Sequence, residues 1–225
     1  MRKIPLFISL LLSISLCKAQ FPDTFSDGDF TANPSWTGDA ALFKVNTSQQ
    51  LQLNASASET ASLSVAVTSE PEMEWSFWIK LAFAPSDNNL ARVYLLSNQQ
   101  DLKGALNGYY IKLGENGSND AIELIRQSGN INTVLCRGTE GFVAGTTNTI
   151  RLKIIRTSAG NWSIFADQTG GNNYVFQASA TDNTYTTGSF AGFYCKYTIS
   201  NSTKFFLDDF YAGAYVVDVT PPQVM

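Results

Sequence analysis

The chain has 225 residues, 44% of them hydrophobic and 15% charged, with a formal net charge of −4, three cysteines and no histidine. Its length and apolar content support a substantial buried core. The acidic balance disfavours nucleic acid or an anionic membrane surface as partner, since both call for a basic patch, and the missing histidine removes His-dependent triads and His-rich metal sites.

At the front, Arg2 and Lys3 precede an apolar run over residues 4–16. That is about 13 residues, the length of a signal-peptide core and short of the roughly 20 a membrane span needs. Cys17-Lys18-Ala19 puts small residues at the −3 and −1 positions of a cleavage site before Gln20. The sequence therefore predicts a signal peptide over 1–19, Sec-type cleavage near Ala19, and a secreted or cell-surface product. Acylation of Cys17 fits less well, because Leu16 stands where a lipoprotein signal has a small residue. Removing the three basic residues of 1–19 takes the mature chain to about −7. No later segment is long and apolar enough to span a bilayer.

Phe25-Ser26-Asp27-Gly28-Asp29-Phe30 reads as a short turn and strand. The clearest period-two pattern spans residues 74–83, with Trp75, Phe77, Ile79, Leu81 and Phe83 on one face and Glu74, Ser76, Trp78 and Lys80 on the other. Residues 109–113, 122–125 and 150–155 alternate in the same way. Shorter strands are predicted over 42–45, 51–53, 63–67, 93–96, 162–165, 174–176 and 190–197. Gly/Asn clusters separate them at Asn107-Gly108, Asn116-Gly117, Gly129-Asn130, Gly160-Asn161 and Gly170-Gly171-Asn172. About a dozen strands at such spacing predict an all-β, two-sheet sandwich. The closing segment, 205–213, again alternates apolar and acidic residues. Aromatic–Asp pairs at both ends predict that the terminal strands lie together and close one domain over residues 20–213. Residues 214–225, with Asp218-Val219-Thr220-Pro221-Pro222, read as a linker or the start of a further module after Met225. Cys136 and Cys195 fit one disulfide and two buried thiols equally well, because sequence does not supply the Cα separation that a bridge requires.

The segments Phe25–Phe30, Trp36-Thr37-Gly38-Asp39, Trp75–Leu81, Tyr109–Gly114 and Phe205–Phe210 together resemble the concanavalin A-like (laminin G-like) jelly-roll superfamily. More narrowly, they resemble the N-terminal domain of large secreted bacterial surface proteins. The resemblance implies a β-sandwich followed by Ig-like and lamin-tail modules and a sorting domain. It implies no single chemistry, since the superfamily holds lectins, carbohydrate-binding modules, adhesion domains and hydrolases.

Three candidate sites follow from residue types. Glu70, Glu72 and Glu74 are the nearest approach to the paired carboxylates of a glycosidase, but Pro71 interrupts them, and a solvated strand entry fits better. Asp27, Asp29, Asp208 and Asp209 offer oxygen ligands for calcium, the one cofactor suggested, if both chain ends meet. Trp78 and Tyr110 fall opposite the core residues of their strands, and with Lys80, Lys112 and Arg151 they predict an outward stacking platform for a polysaccharide or cell-surface glycan. The favoured function is a non-enzymatic recognition or adhesion module of a larger surface protein. The alternatives are a carbohydrate-binding module with a defined glycan, and then a glycoside hydrolase or lyase.

Overall fold

A computed structural model describes residues 21–216, and within it the period-two segments are strands. The predicted signal peptide, and residues 217–225 of the predicted linker, lie outside the described residues. In chain order the strands are β1 (Phe21–Asp23), β2 (Trp36–Gly38), β3 (Phe43–Val45), β4 (Leu51–Leu53), β5 (Glu59–Ala66), β6 (Met73–Leu81), β7 (Leu90–Ser97) and β8 (Leu106–Leu113). They continue as β9 (Ile122–Gly129), β10 (Ile131–Arg137), β11 (Asn148–Arg156), β12 (Asn161–Asp167), β13 (Val175–Thr181), β14 (Phe190–Tyr197) and β15 (Phe205–Ala214).

Two antiparallel sheets form the sandwich. The first runs β13-β12-β11-β6-β15-β4-β3, with β1 also paired to β15; the second runs β10-β9-β8-β7-β14-β5-β2. Alternation decides what fills the space between them. Trp75, Phe77, Ile79 and Leu81 of β6 are fully buried, as are Leu152 and Ile154 of β11, and they share one core with Val93, Ile111, Leu124 and Phe193 from the second sheet. Burying each such side chain contributes roughly 1.5–3 kcal/mol, so this layer is the main source of stability.

The first and last described strands do meet, but one step earlier than predicted. Phe21 pairs with Ala212 and Asp23 with Phe210, while the Asp27-Gly28 segment forms turns beyond β1. There Phe25 packs on Trp36 at 5.8 Å and Trp36 on Phe210 at 5.3 Å between ring centroids. Asn107-Gly108 is not a turn either; both residues lie inside β8. A Cβ at Gly108 would stand 1.9 Å from the carbonyl oxygen of Leu96, so the glycine serves close strand approach.

The two cysteines are free thiols. Cys136 is on β10 and Cys195 on β14, separated by β9, β8 and β7. Four strand spacings are about 19 Å, against a limit near 7 Å between bridged Cα atoms. The disulfide is thus excluded by topology. Burial instead pushes the half-buried Cys136 thiol up to about 11 and that of fully buried Cys195 well above its ordinary value, as expected of unreactive thiols.

Candidate functional site

The outward faces of the two sheets differ. On the second sheet, Leu102 from the β7–β8 connection and Leu106 join Leu90, Tyr94, Tyr110, Ile125 and Tyr194 in a separate buried cluster. Arg92 lies over the rings of Tyr110 and Tyr194, at 5.1 and 4.8 Å. Tyr110 is therefore covered by its own protein, with 2% exposure. Lys112 beside it is tied to Glu123 at 3.1 Å, and Glu123 also accepts from Arg137.

The outer face of the first sheet carries aromatic residues that no such cluster covers. Strand register sets them in rows across neighbouring strands. One row runs Lys44, Gln52, Phe206, Lys80, Thr149. The next runs Asp208, Trp78, Arg151, Asp167. A third runs Tyr211, Ser76, Lys153, Phe165, Phe176. Trp78, Phe165, Tyr174, Phe206 and Tyr211 are half-buried and Phe176 is exposed; none belongs to either buried cluster. Lys153 stands 4.9 Å from the Tyr174 ring and 5.7 Å from Phe165, and Lys80 stands 5.7 Å from Phe206.

Two local devices shape the middle of this face. β15 carries a bulge between Asp208 and Tyr211, where it advances three residues against two of β6. The extra residue, Asp209, has φ 49°, a left-handed conformation that costs a non-glycine residue about 1 kcal/mol or more. The bulge delivers the Asp209 carboxylate to Arg151, at 2.6 Å. Arg151 also donates from Nε to the carbonyl of Gly170, at 3.1 Å, and so holds the β12–β13 loop against the sheet. At Gly170, φ is 74° and a Cβ would stand 2.5 Å from Trp78 Nε1, so glycine is required for the loop to border the indole. Asp167 organises the same loop by accepting hydrogen bonds from the backbone N–H and hydroxyl of Thr169 and the N–H of Asn173, which hold its carboxyl below the usual range. On its far side the loop borders a cleft of about 520 Å³ lined in part by Gln168, Asn173, Val175 and Gln177.

Of the five predicted platform residues, the structure brings Trp78, Lys80 and Arg151 together and places Tyr110 and Lys112 on the opposite outer face. A Trp78–Tyr110 platform does not exist. Tyr174 and Tyr211 take the place of Tyr110; Tyr211 alternates with buried Phe210 and Ala212, whereas Tyr174 stands in the loop before β13 between exposed neighbours, and neither carries any indication of which strands lie side by side.

The calcium site is not assembled either. Asp27 accepts from the N–H of Asp29, Asp29 from the N–H groups of Phe30 and Thr31, and Asp209 from Arg151. Among the described residues no group of three or more His, Cys, Asp or Glu side chains is placed to hold a metal ion. Of the three glutamates only Glu74 lies on a strand; Glu70 and Glu72 precede β6. Burial raises the proton affinity of Glu74, with Lys153 opposing the shift.

The fold is shared with known proteins at low sequence identity. The exoplasmic/lumenal domain of VIP36, in a Ca²⁺- and Man2-bound form, superposes with a TM-score of 0.65 at 15% identity, covering 88% of each chain. The carbohydrate recognition domain of Emp47p gives 0.64 at 8% identity, over 88% of this chain and 95% of that one. A GH43 glycoside hydrolase gives 0.58 at 13% identity over 95% of this chain but only 42% of its own length. The fold is a concanavalin A-like β-sandwich. No family model and no curated protein matches the sequence. Among the described residues, no helix is long and apolar enough to cross a membrane.

Proposed function

We propose that this chain is a carbohydrate-binding module, secreted as one part of a longer surface protein, with its ligand on the outward face of the first sheet. One observation carries the reading. The sandwich covers the outer aromatics of its second sheet with its own loop but leaves six aromatic rings, interleaved with charged groups, on the outer face of the first. A contiguous patch of that kind is the usual mark of a binding surface. Aromatic faces stack on pyranose rings while charged and amide groups bond the hydroxyls. The likeness to VIP36 and Emp47p, whose structures are described with mannose ligands or as a carbohydrate recognition domain, supports this choice over plain protein adhesion.

The module acts without chemistry of its own. Glu74 and Asp208 are the carboxyls of the face with raised proton affinity, but Asp208 pairs with Trp78, four residues or about 13 Å along β6 from Glu74, wider than the roughly 5–9.5 Å of a glycosidase pair. The expected result with a panel of plant and microbial polysaccharides is retention without turnover, read by affinity electrophoresis and a reducing-sugar assay. Trp78→Ala is expected to weaken binding by about 1–3 kcal/mol, as loss of a central aromatic anchor does, and to leave the melting temperature within a degree or two of the parent. A large drop in melting temperature with unchanged affinity would make Trp78 a packing residue and sink the reading. Chelation by EDTA is expected to leave binding unchanged, since among the described residues no group of three or more acidic side chains is placed to hold a metal ion; a loss of binding would bring calcium back.

A further inference from the structure

The aromatic face carries a charge pattern that stacking alone does not need. The whole chain has 15 Lys and Arg against 19 Asp and Glu. On this face four cations, Lys44, Lys80, Arg151 and Lys153, balance four carboxylates, Glu74, Asp167, Asp208 and Asp209. The two sets are used differently. Asp167 is occupied by the β12–β13 loop, Asp209 by Arg151, and Asp208 accepts the backbone N–H of Asp209 at 2.8 Å. Only Glu74 has no bonded partner, and it is half-buried.

The lysines are freer. Lys44, Lys80 and Lys153 make no ion pair and no hydrogen bond with any described residue, though Lys153 lies near enough to Glu74 to favour its carboxylate. Lys80 and Lys153 are held over aromatic rings, and Lys44 stands at the exposed end of the row that contains Lys80. Elsewhere the cations are committed: Lys103, Lys112, Arg126 and Arg137 to carboxylates, Lys196 and Lys204 to oxygen acceptors, Arg156 to three backbone carbonyls and Arg92 to its tyrosines. The uncommitted ammonium groups of the described residues thus share one face, level with the rings on which a sugar would stack. A neutral glycan uses the rings and leaves the ammonium groups idle; a glycan with anionic substituents uses both.

We propose that this face selects a polysaccharide bearing carboxylate or sulfate groups, its sugar rings stacked on Trp78 and Tyr174 and its anionic substituents at Lys80, Lys153 and Lys44. The inference rests on the carbohydrate-binding reading above.

Matched polymers test it. The purified protein is titrated calorimetrically with polygalacturonate and its fully methyl-esterified form, and with dextran sulfate and dextran. The two pairs separate carboxylate from sulfate as the recognised group. The expected result is binding of at least one anionic member on the order of tenfold tighter than its neutral twin, weakening as salt is raised. The double substitution Lys80→Gln, Lys153→Gln is expected to lose that preference, by about tenfold, while Lys196→Gln on the other sheet changes nothing. Melting temperatures establish that the variants are folded. Equal affinity for charged and neutral twins would overturn the acidic preference and leave the carbohydrate reading in place. Anionic binding that survives the double substitution would also overturn it, since the attraction would then lie elsewhere. Failure of all four polymers together with the broader panel would remove both readings.

Discussion

Asp208 illustrates how much a single position on this face is asked to do. It sits opposite Trp78 in the sheet, accepts the N–H of the bulged Asp209, and is partly withdrawn from water. Burial pushes its pKa up to about 6 from an ordinary 3.8; the charges of Asp209 and Asp23 add to the rise, while the Asp209 N–H and Arg151 oppose it. The native protein therefore binds a proton that the unfolded chain has already released between those two values. Stability falls as pH rises through that window and is level above it. Asp208→Asn keeps an oxygen acceptor for the Asp209 N–H and removes the charge. The substitution is expected to be nearly neutral below pH ~4 and stabilising near pH ~7, checked by melting temperature at the two values; the same difference at both would show that Asp208 titrates normally. Gly170 makes the companion case in steric terms. Gly170→Ala is expected to cost about 1 kcal/mol or more from the positive φ alone, and to weaken glycan binding because the new methyl group displaces the loop that borders Trp78.

At the scale of single elements, alternation separates two neighbouring side chains into opposite roles. Phe77 and Trp78 are adjacent in β6, one fully buried and the other on the outer face. Phe77→Ala is expected to cost about 3–5 kcal/mol in urea unfolding, as large-to-small core changes do, with Trp78→Ala costing far less. A similar loss for both would mean that the outer face is also packed. The same physics explains what was readable. β6 and β11 each bury one face completely, so apolar residues recur at every second position between Trp75 and Leu81 and between Ile150 and Ile154, even though the outer face adds Trp78 and Ile155. β10 buries almost nothing, with Ile131 70% and Val134 54% exposed, and so has no pattern to find. Gly108 was misleading because the same residue type serves a turn and a close strand contact. The site was half legible for a related reason. Period two tells which way Trp78, Arg151 and Tyr110 point from their own strands, but strand order depends on long-range pairing. Sequence therefore joined Tyr110 to a tryptophan that lies on the opposite side of the molecule, and missed Tyr174 and Tyr211, which lie near it.

At the scale of the molecule, the inter-sheet core is the main source of stability, and no disulfide reinforces it among the described residues. Reductant is expected to leave the melting temperature unchanged, because Cys136 and Cys195 are unpaired; a drop of several degrees would require a bridge between copies. The two outer surfaces are not equivalent, one sealed by leucines and tyrosines and the other open, and the proposed glycan site lies on the open one.

The position of β15 has a consequence for the order in which this protein can be made. The last described strand is also the one that joins β6 to β4 and β1, so the first sheet has no middle until residues 205–214 are in place. Contacts such as Phe21 with Ala212 span almost the entire described sequence, and loop-closure entropy opposes them until the final strand is available. Partial chains are left with the bare edge of β6 and a half-covered core. The domain thus stays open until β15 joins it and closes in one late step, in which the two sheets and their shared core are completed together.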